Sequence, residues 1–283
     1  MTLVITAATS KFVAQVSDRR LTYPDGRIYD DEANKAVVLQ CRTAKLSMAY
    51  TGLGYIGSVR TDEWLVDVLT HGRAGHKPLE GVIELLTDSA TNEVSGLCSP
   101  PENKRLTFVL AGWYLAAKDV LRPVVWSISN CEGGRWEPLP TPKPAFEARF
   151  ARQGEGADPR RVAFFAVHGC EQAFDQACSR RLGKVKRALL GVRDGHRIVG
   201  HLVSLVRAAA SHPLGEQWIG RNCMSVVLAH DLETVAEYHP YGGGRPVTYG
   251  PHLVEPGLSI KDVEVWIGQQ PPWWSEGLPR LPG

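Results

Sequence analysis

The chain has 283 residues, 43% of them hydrophobic, with 32 Lys and Arg against 30 Asp and Glu and a formal charge of +2. That composition supports a packed core and excludes a disordered tail. Near-neutral charge without a polybasic run excludes bulk electrostatic attraction to nucleic acid or to an anionic membrane surface, so neither is expected as a partner.

The first fifty residues read as antiparallel sheet. Leu3 to Ala8 is an apolar, β-branched run, Thr9-Ser10 makes a turn, and Phe12 to Val16 alternates apolar with small or polar residues. A polar loop from Arg19 to Ala33, carrying Pro24-Asp25-Gly26, leads to a second apolar run, Ala36 to Cys41. After Arg42-Thr43 comes Leu46 to Thr51, so four strands are expected before any helix.

Thr61, Asp62 and Glu63 make a helix start, with Trp64, Leu65, Val68 and Leu69 on one face until Gly72 and Gly75. A second helix is expected after Pro78, burying Leu79, Val82, Ile83, Leu85 and Leu86. Strands return at Leu106 to Ala111 and Val124 to Ile128. An edge strand is expected around Arg135 to Glu137 after the Gly133-Gly134 turn, then a proline-rich connector from Pro138 to Pro144. Val162 to Val167 predicts a strand, Gln172 to Leu190 and Arg197 to Ala210 two helices, and Met224 to Ala229 a further strand.

The last fifty residues are rich in Gly, Pro and Trp, with weak strand signals at Val247 to Tyr249 and Val263 to Ile267. Trp273 and Trp274 are expected to clamp the tail onto its own domain, a docking segment being the alternative. Strands, two helices, strands, two helices, strands is the order of an α+β layered architecture, in one domain without internal repeats.

The six cysteines (Cys41, Cys98, Cys131, Cys170, Cys178, Cys223) show no CxxC pair, which predicts reduced, mostly buried thiols. His196 and His201 are five apart, not the i, i+4 spacing of a helical ligand pair, so no metal site is assigned and no cofactor is expected. No stretch approaches the roughly 18 apolar residues of a membrane span, and no secretory signal is recognisable, so a cytoplasmic location is expected.

Chemistry is suggested by the start of the chain. Thr2 follows Met1, a residue that aminopeptidases remove readily ahead of a small side chain, and no propeptide is evident, so maturation is expected to need only that cleavage. A terminal threonine holds a hydroxyl and a free α-amine whose pKa is about 7.7 to 8.0, a nucleophile and a base in one residue. The hairpin returns Asp18 beside Thr2, and Asn34-Lys35 opens the next long strand. Lys35 would depress the amine's pKa and ease deprotonation of the hydroxyl, with Asp18 balancing the ammonium.

This segment resembles the N-terminal-nucleophile (Ntn) hydrolases of the proteasome β-subunit type, HslV included. Those chains place an aspartate sixteen residues after the nucleophile and a lysine about sixteen beyond it; here the intervals are sixteen and seventeen. Asp18-Arg19-Arg20-Leu21-Thr22 resembles the family's D-x-R-x-T segment, and Tyr50-Thr51-Gly52 its strand end. The resemblance implies a four-layer αββα sandwich over residues 1–235, with 236–283 a Gly/Pro/Trp-rich extension packed on it. It also implies substrate binding by the Thr22 backbone, a structural arginine at Arg20 beside that site, an oxyanion hole at the Gly52 amide and a specificity-pocket wall at Tyr50.

The activity implied is threonine-type hydrolysis of a peptide or small amide through an acyl ester on Thr2. A homo-oligomeric ring and an ATPase or regulatory partner are implied as well. The alternative is an inactive proteasome-like scaffold or partner-binding subunit. The family's serine-glycine and aspartate-serine segments are not reproduced, His168-Gly169-Cys170 and Ser211-His212 standing in those places.

Two rival readings come from the same residues. Gly52-Leu53-Gly54-Tyr55-Ile56-Gly57 spells the G-x-G-x-x-G of dinucleotide sites, but the helix signal starts only at Thr61 and a second helix follows, which favours a tight turn. Cys170 with His168 could form a thiolate nucleophile, yet no orienting group is evident nearby, and a buried core cysteine is the expected reading.

Overall fold

The computed structural model describes residues 2–23, 25–116, 120–133, 137–150, 163–192, 194–261 and 264–267. The N-terminal part forms β1 (Leu3–Thr9), β2 (Phe12–Asp18), a ribbon of β3 (Leu21–Thr22) and β4 (Ile28–Asp30), β5 (Val37–Gln40), β6 (Ala44–Gly52) and a ribbon of β7 (Tyr55–Ile56) and β8 (Val59–Arg60). Helices α1 (Thr61–His71) and α2 (Leu79–Ser95) follow, then β9 (Leu106–Ala116), β10 (Val120–Ser129), β11 (Glu147–Phe150) and β12 (Ala163–Gly169). The remainder is α3 (Glu171–Gly191), α4 (Gly195–Ala210), β13 (Cys223–Ala229), β14 (Thr234–His239), β15 (Val247–Thr248), β16 (His252–Glu255), β17 (Leu258–Lys261) and β18 (Glu264–Ile267).

The long strands form two sheets, of order β12-β1-β2-β13-β14-β15 and β11-β10-β9-β6-β5-β16-β17-β18. Three apolar cores separate four layers. One joins α3 and α4 to the first sheet through Leu3, Ile5, Phe12, Phe174, Leu202 and Val206. A second lies between the sheets and holds Val4, Val13, Val38, Ala49, Val109 and Trp113. The third joins the second sheet to α1 and α2 through Leu46, Met48, Tyr50, Leu65, Leu69 and Leu86. The architecture is therefore an α+β, four-layer αββα sandwich. Its central strands are covered on both faces, which is why β1 reads as an unbroken apolar run.

Strand alternation then assigns each residue a layer. In β1, Leu3, Ile5 and Ala7 face the α3/α4 side while Val4 and Ala8 face the other sheet. Polar residues between the sheets are paired: the Ser47 hydroxyl donates to the Gln15 side-chain oxygen at 2.8 Å, and the Trp113 indole donates to the Leu228 carbonyl at 3.0 Å. Such contacts set the register of the two sheets because an unpaired buried polar group costs more than the bond contributes.

Helices α1, α3 and α4 lie within two residues of their expected bounds, and α2 starts directly after Pro78 as expected and runs on to Ser95. Leu85, expected on the buried face of α2, is only half-buried. The loop from Arg19 to Ala33 contains the β3/β4 ribbon. The edge strand expected around Arg135 to Glu137 falls mostly outside the described residues, and the edge next to β10 is instead β11. β14, β16 and β17 were not apparent from the sequence pattern. β16 pairs in parallel with β5, so the chain after residue 250 extends the second sheet. Val263, Trp273 and Trp274 lie outside the described residues. Among those residues no helix is long and apolar enough to cross a membrane, and no group of His, Cys, Asp and Glu is placed to hold a metal.

Candidate active site

Thr2 heads β1, between the end of β2, where Val4 pairs with Ser17, and Gly169 of β12, which pairs with Leu3. By strand alternation its side chain shares the face of Val4, toward the second sheet. Two residues of that side meet it. The Thr51 hydroxyl donates to the Thr2 carbonyl at 2.7 Å, while the Thr2 amide donates to Thr51 Oγ1 at 3.3 Å. Lys35 Nζ donates to Thr2 Oγ1 at 2.6 Å.

The Lys35 ammonium is wholly buried, and its three hydrogens have three partners: Thr2 Oγ1, the Arg20 carbonyl and Asp18 Oδ2, the last at 3.5 Å. Burial pulls the ammonium below its ordinary value of 10.5, against the attraction of Asp18. The Asp18 carboxylate is held chiefly by backbone. It accepts from the amides of Leu3 at 2.8 Å, Arg20 at 2.9 Å and Gly220 at 3.0 Å. These amides satisfy the carboxylate and fix the point from which it supports Lys35. A hydroxyl in direct contact with an amine whose pKa burial lowers can pass its proton to that amine when the amine is neutral, which is the first requirement for nucleophilic attack by a threonine.

Thr2, Asp18 and Lys35 are thus brought together from three separate segments. The other expected positions divide. Thr22 lines a cavity of about 930 Å³ whose boundary also includes Gly52, Gly54, Gly169, Cys170 and Glu171. Gly52 has φ of +108°, and a Cβ there would come within 2.1 Å of the Arg105 carbonyl, so only glycine suits this strand end. Arg20 does not line the cavity. Its guanidinium clasps Asp31 at 2.9 and 3.2 Å and reaches the Glu216 carbonyl at 2.8 Å, which braces the β3/β4 ribbon against the loop after α4.

Tyr50 requires a correction. It is fully buried, but on the face of β6 that packs against α1, with its hydroxyl 3.4 Å from Asp62, and it does not line the cavity beside Thr22 and Gly52. Successive strand residues point to opposite faces, so it is Thr51 that turns toward Thr2. Thr51, Gly169 and Gly220 are the contributors that sequence reasoning missed. A Cβ on Gly169 would lie 1.8 Å from the Thr2 carbonyl, so the chain passes there without a side chain. The loop after α4 reaches the cluster through Gly220, whereas Ser211 merely ends α4 and the His212 ring accepts from the Leu214 amide.

The rival readings meet the geometry less well. The glycine run covers the end of β6 and β7 and stops short of β8, α1 opens only at Thr61, and β6 is antiparallel to both neighbours. Burial pushes the Cys170 thiol up to about 12, and the His168 ring is engaged by Glu132 Oε1 at 2.8 Å. A thiol so disposed is a poor nucleophile.

No known family model matches this sequence, and no curated protein matches it. Solved structures do. An Anbu mutant from Hyphomicrobium sp. strain MC1 superposes with a TM-score of 0.53 at 11% identity, over 86% of this chain and 89% of that one. Anbu from the same strain gives 0.52 at 11% identity, over 86% and 88%. Anbu from Yersinia bercovieri, described as an ancestral β-subunit, gives 0.50 at 12% identity, over 80% of each chain. The fold is proteasome-like, of the Ntn type. At such identities the likeness carries architecture, and what this chain does must be argued from its own residues.

Proposed function

We propose that the protein is an N-terminal threonine amidohydrolase that cleaves a peptide or small amide once Met1 has been removed. The observation that carries this reading is the 2.6 Å contact between Lys35 Nζ and Thr2 Oγ1, with Asp18 behind the lysine and a cavity alongside. Thr2 Oγ attacks the substrate carbonyl as its proton passes to the neutral form of Lys35, which relays it through the new α-amine to the leaving amine and is itself left neutral again. The Gly52 amide, at the end of the strand that contacts Thr2, is assigned to the developing oxyanion, a role typically worth about 2.7 to 4 kcal/mol. Water next releases the acyl group from Thr2 by the same base, so that enzyme is regenerated.

Intact-mass measurement of the purified protein tests the maturation, and a peptide epoxyketone tests the chemistry because its stable adduct needs both the hydroxyl and the free amine. Loss of Met1 with labelling of Thr2, abolished in Thr2→Ala, is the expected result. Complete retention of Met1 with no labelling overturns the proposal in favour of an inactive scaffold. A ring of identical subunits belongs to the same proposal, and a monomer by light scattering would end that part.

A further inference from the structure

The cavity next to Thr2 has walls from segments distant in sequence. Tyr29 meets Tyr23 and Tyr55 edge-to-face, with ring centres 5.4 and 5.3 Å apart, and all three line the cavity. Leu214 and Trp218 from the loop between α4 and β13 line it too, with Leu21, Leu53 and Ala173 adding apolar surface. Three charged residues border it: Glu102, Arg105 and Glu171. The Arg105 guanidinium is occupied by the carbonyls of Leu139 and Pro140. Glu171 Oε1 accepts from the Gly169 amide at 2.7 Å, and burial raises its pKa. Its carboxyl thus lies beside the backbone that flanks Thr2, in surroundings unfavourable to a second negative charge.

Resting on the acyl-transfer reading above, we infer that this cavity receives the side chain of the acyl residue, selecting a large aromatic group and rejecting an anionic one. A volume of about 930 Å³ has ample room for an aromatic ring, and seating a ring against its tyrosine, tryptophan and leucine walls removes apolar surface from water. Two carboxylates against one guanidinium leave the border net negative, which opposes an acidic side chain. Trp218 is the specificity-determining residue. It lies two positions before Gly220, whose amide holds Asp18, so the loop that touches the ligand also braces the lysine cluster.

The test is calorimetric titration of the full-length Thr2→Ala protein with N-acetyl tripeptide amides that differ only in a C-terminal phenylalanine, alanine, lysine or aspartate. Phenylalanine is expected to bind about 10- to 100-fold more tightly than alanine, with aspartate weakest. Trp218→Ala, and separately Leu214→Ala at a position 43% exposed, is expected to remove most of that advantage. Aspartate or lysine binding as tightly as phenylalanine, no binding by any peptide, or a preference surviving both substitutions overturns the inference. Turnover plays no part in this measurement. A protein that shows the preference yet hydrolyses nothing keeps the binding site and loses the proposed function; one that hydrolyses without preference does the reverse.

Discussion

Asp18 and Asp62 are both carboxylates without solvent exposure, each beside a basic side chain, and they are satisfied in different ways. Asp62 is closed by side chains: Arg60 at 2.6 and 3.2 Å, His252 at 2.9 Å and the Tyr50 hydroxyl at 3.4 Å. Burial alone would raise its pKa, but the bonds from His252 and Arg60 overcome this and hold it below the ordinary value. Because His252 lies in β16 and Asp62 in α1, the cluster ties the late strands to the first helix. Asp18 takes three backbone amides instead, and the cation beside it, Lys35, shares its hydrogens with a carbonyl and a hydroxyl. There burial wins, and the ammonium is weakened. A buried carboxylate enclosed by basic side chains makes a clamp; one satisfied by backbone leaves a cation free to exchange a proton with a nucleophile.

That contrast is broken first at Lys35. Lys35→Met should lower kcat/KM on a peptide amide by about 10²- to 10⁴-fold, the span of a lost general base. If the variant keeps full activity, the lysine cluster is only structural. In the unsubstituted protein kcat/KM should rise with pH along a limb whose midpoint lies below 10.5, since the base works unprotonated. Stability should rise with pH too, between the lowered value and 10.5, because the unfolded chain binds more protons in that window. Urea titrations across it, compared with Lys35→Met, isolate this slope.

Asp62→Asn tests the clamp. It should cost about 3 to 5 kcal/mol of stability by uncoupling Arg60 and His252 from their carboxylate, read as a fall in the urea midpoint, while the folded fraction keeps its turnover. Thr51→Val removes both bonds to Thr2 and should reduce kcat about 10- to 100-fold through misplacement of the nucleophile, with a stability loss of about 1 to 3 kcal/mol from the buried groups left unpaired. Tyr50→Phe loses one long hydrogen bond to Asp62, worth about 1 kcal/mol, and should leave substrate preference unaltered. A shifted preference in Tyr50→Phe would restore it to the pocket wall.

Much of this site was legible in local pattern. The turn at Thr9-Ser10 forces β2 back along β1, and seven-residue strands on both sides bring Asp18 to Thr2 without further information. The orientation of β6 was not legible. Ser47 and Thr51 alternate with Leu46, Met48 and Tyr50, but the fold buries both sets, so the alternation separates two faces without saying which one meets Thr2. β14, β16 and β17 were missed for a related reason. Their short mixed runs carry little intrinsic preference, and they become strands because β13 and β5 offer open edges.

What the amino-acid order determined by itself was the hairpin, the two helix pairs and the spacing that returns an aspartate and a lysine toward the start of the chain. Tertiary structure decided the rest. Thr51 rather than Tyr50 faces Thr2, the Gly220 amide crosses 202 positions to Asp18, and Trp218 enters the cavity wall. Periodicity within one element says which residues share a face. It is silent on which distant backbone amide will satisfy a buried carboxylate, since that partner is chosen only when the layers close and water is excluded.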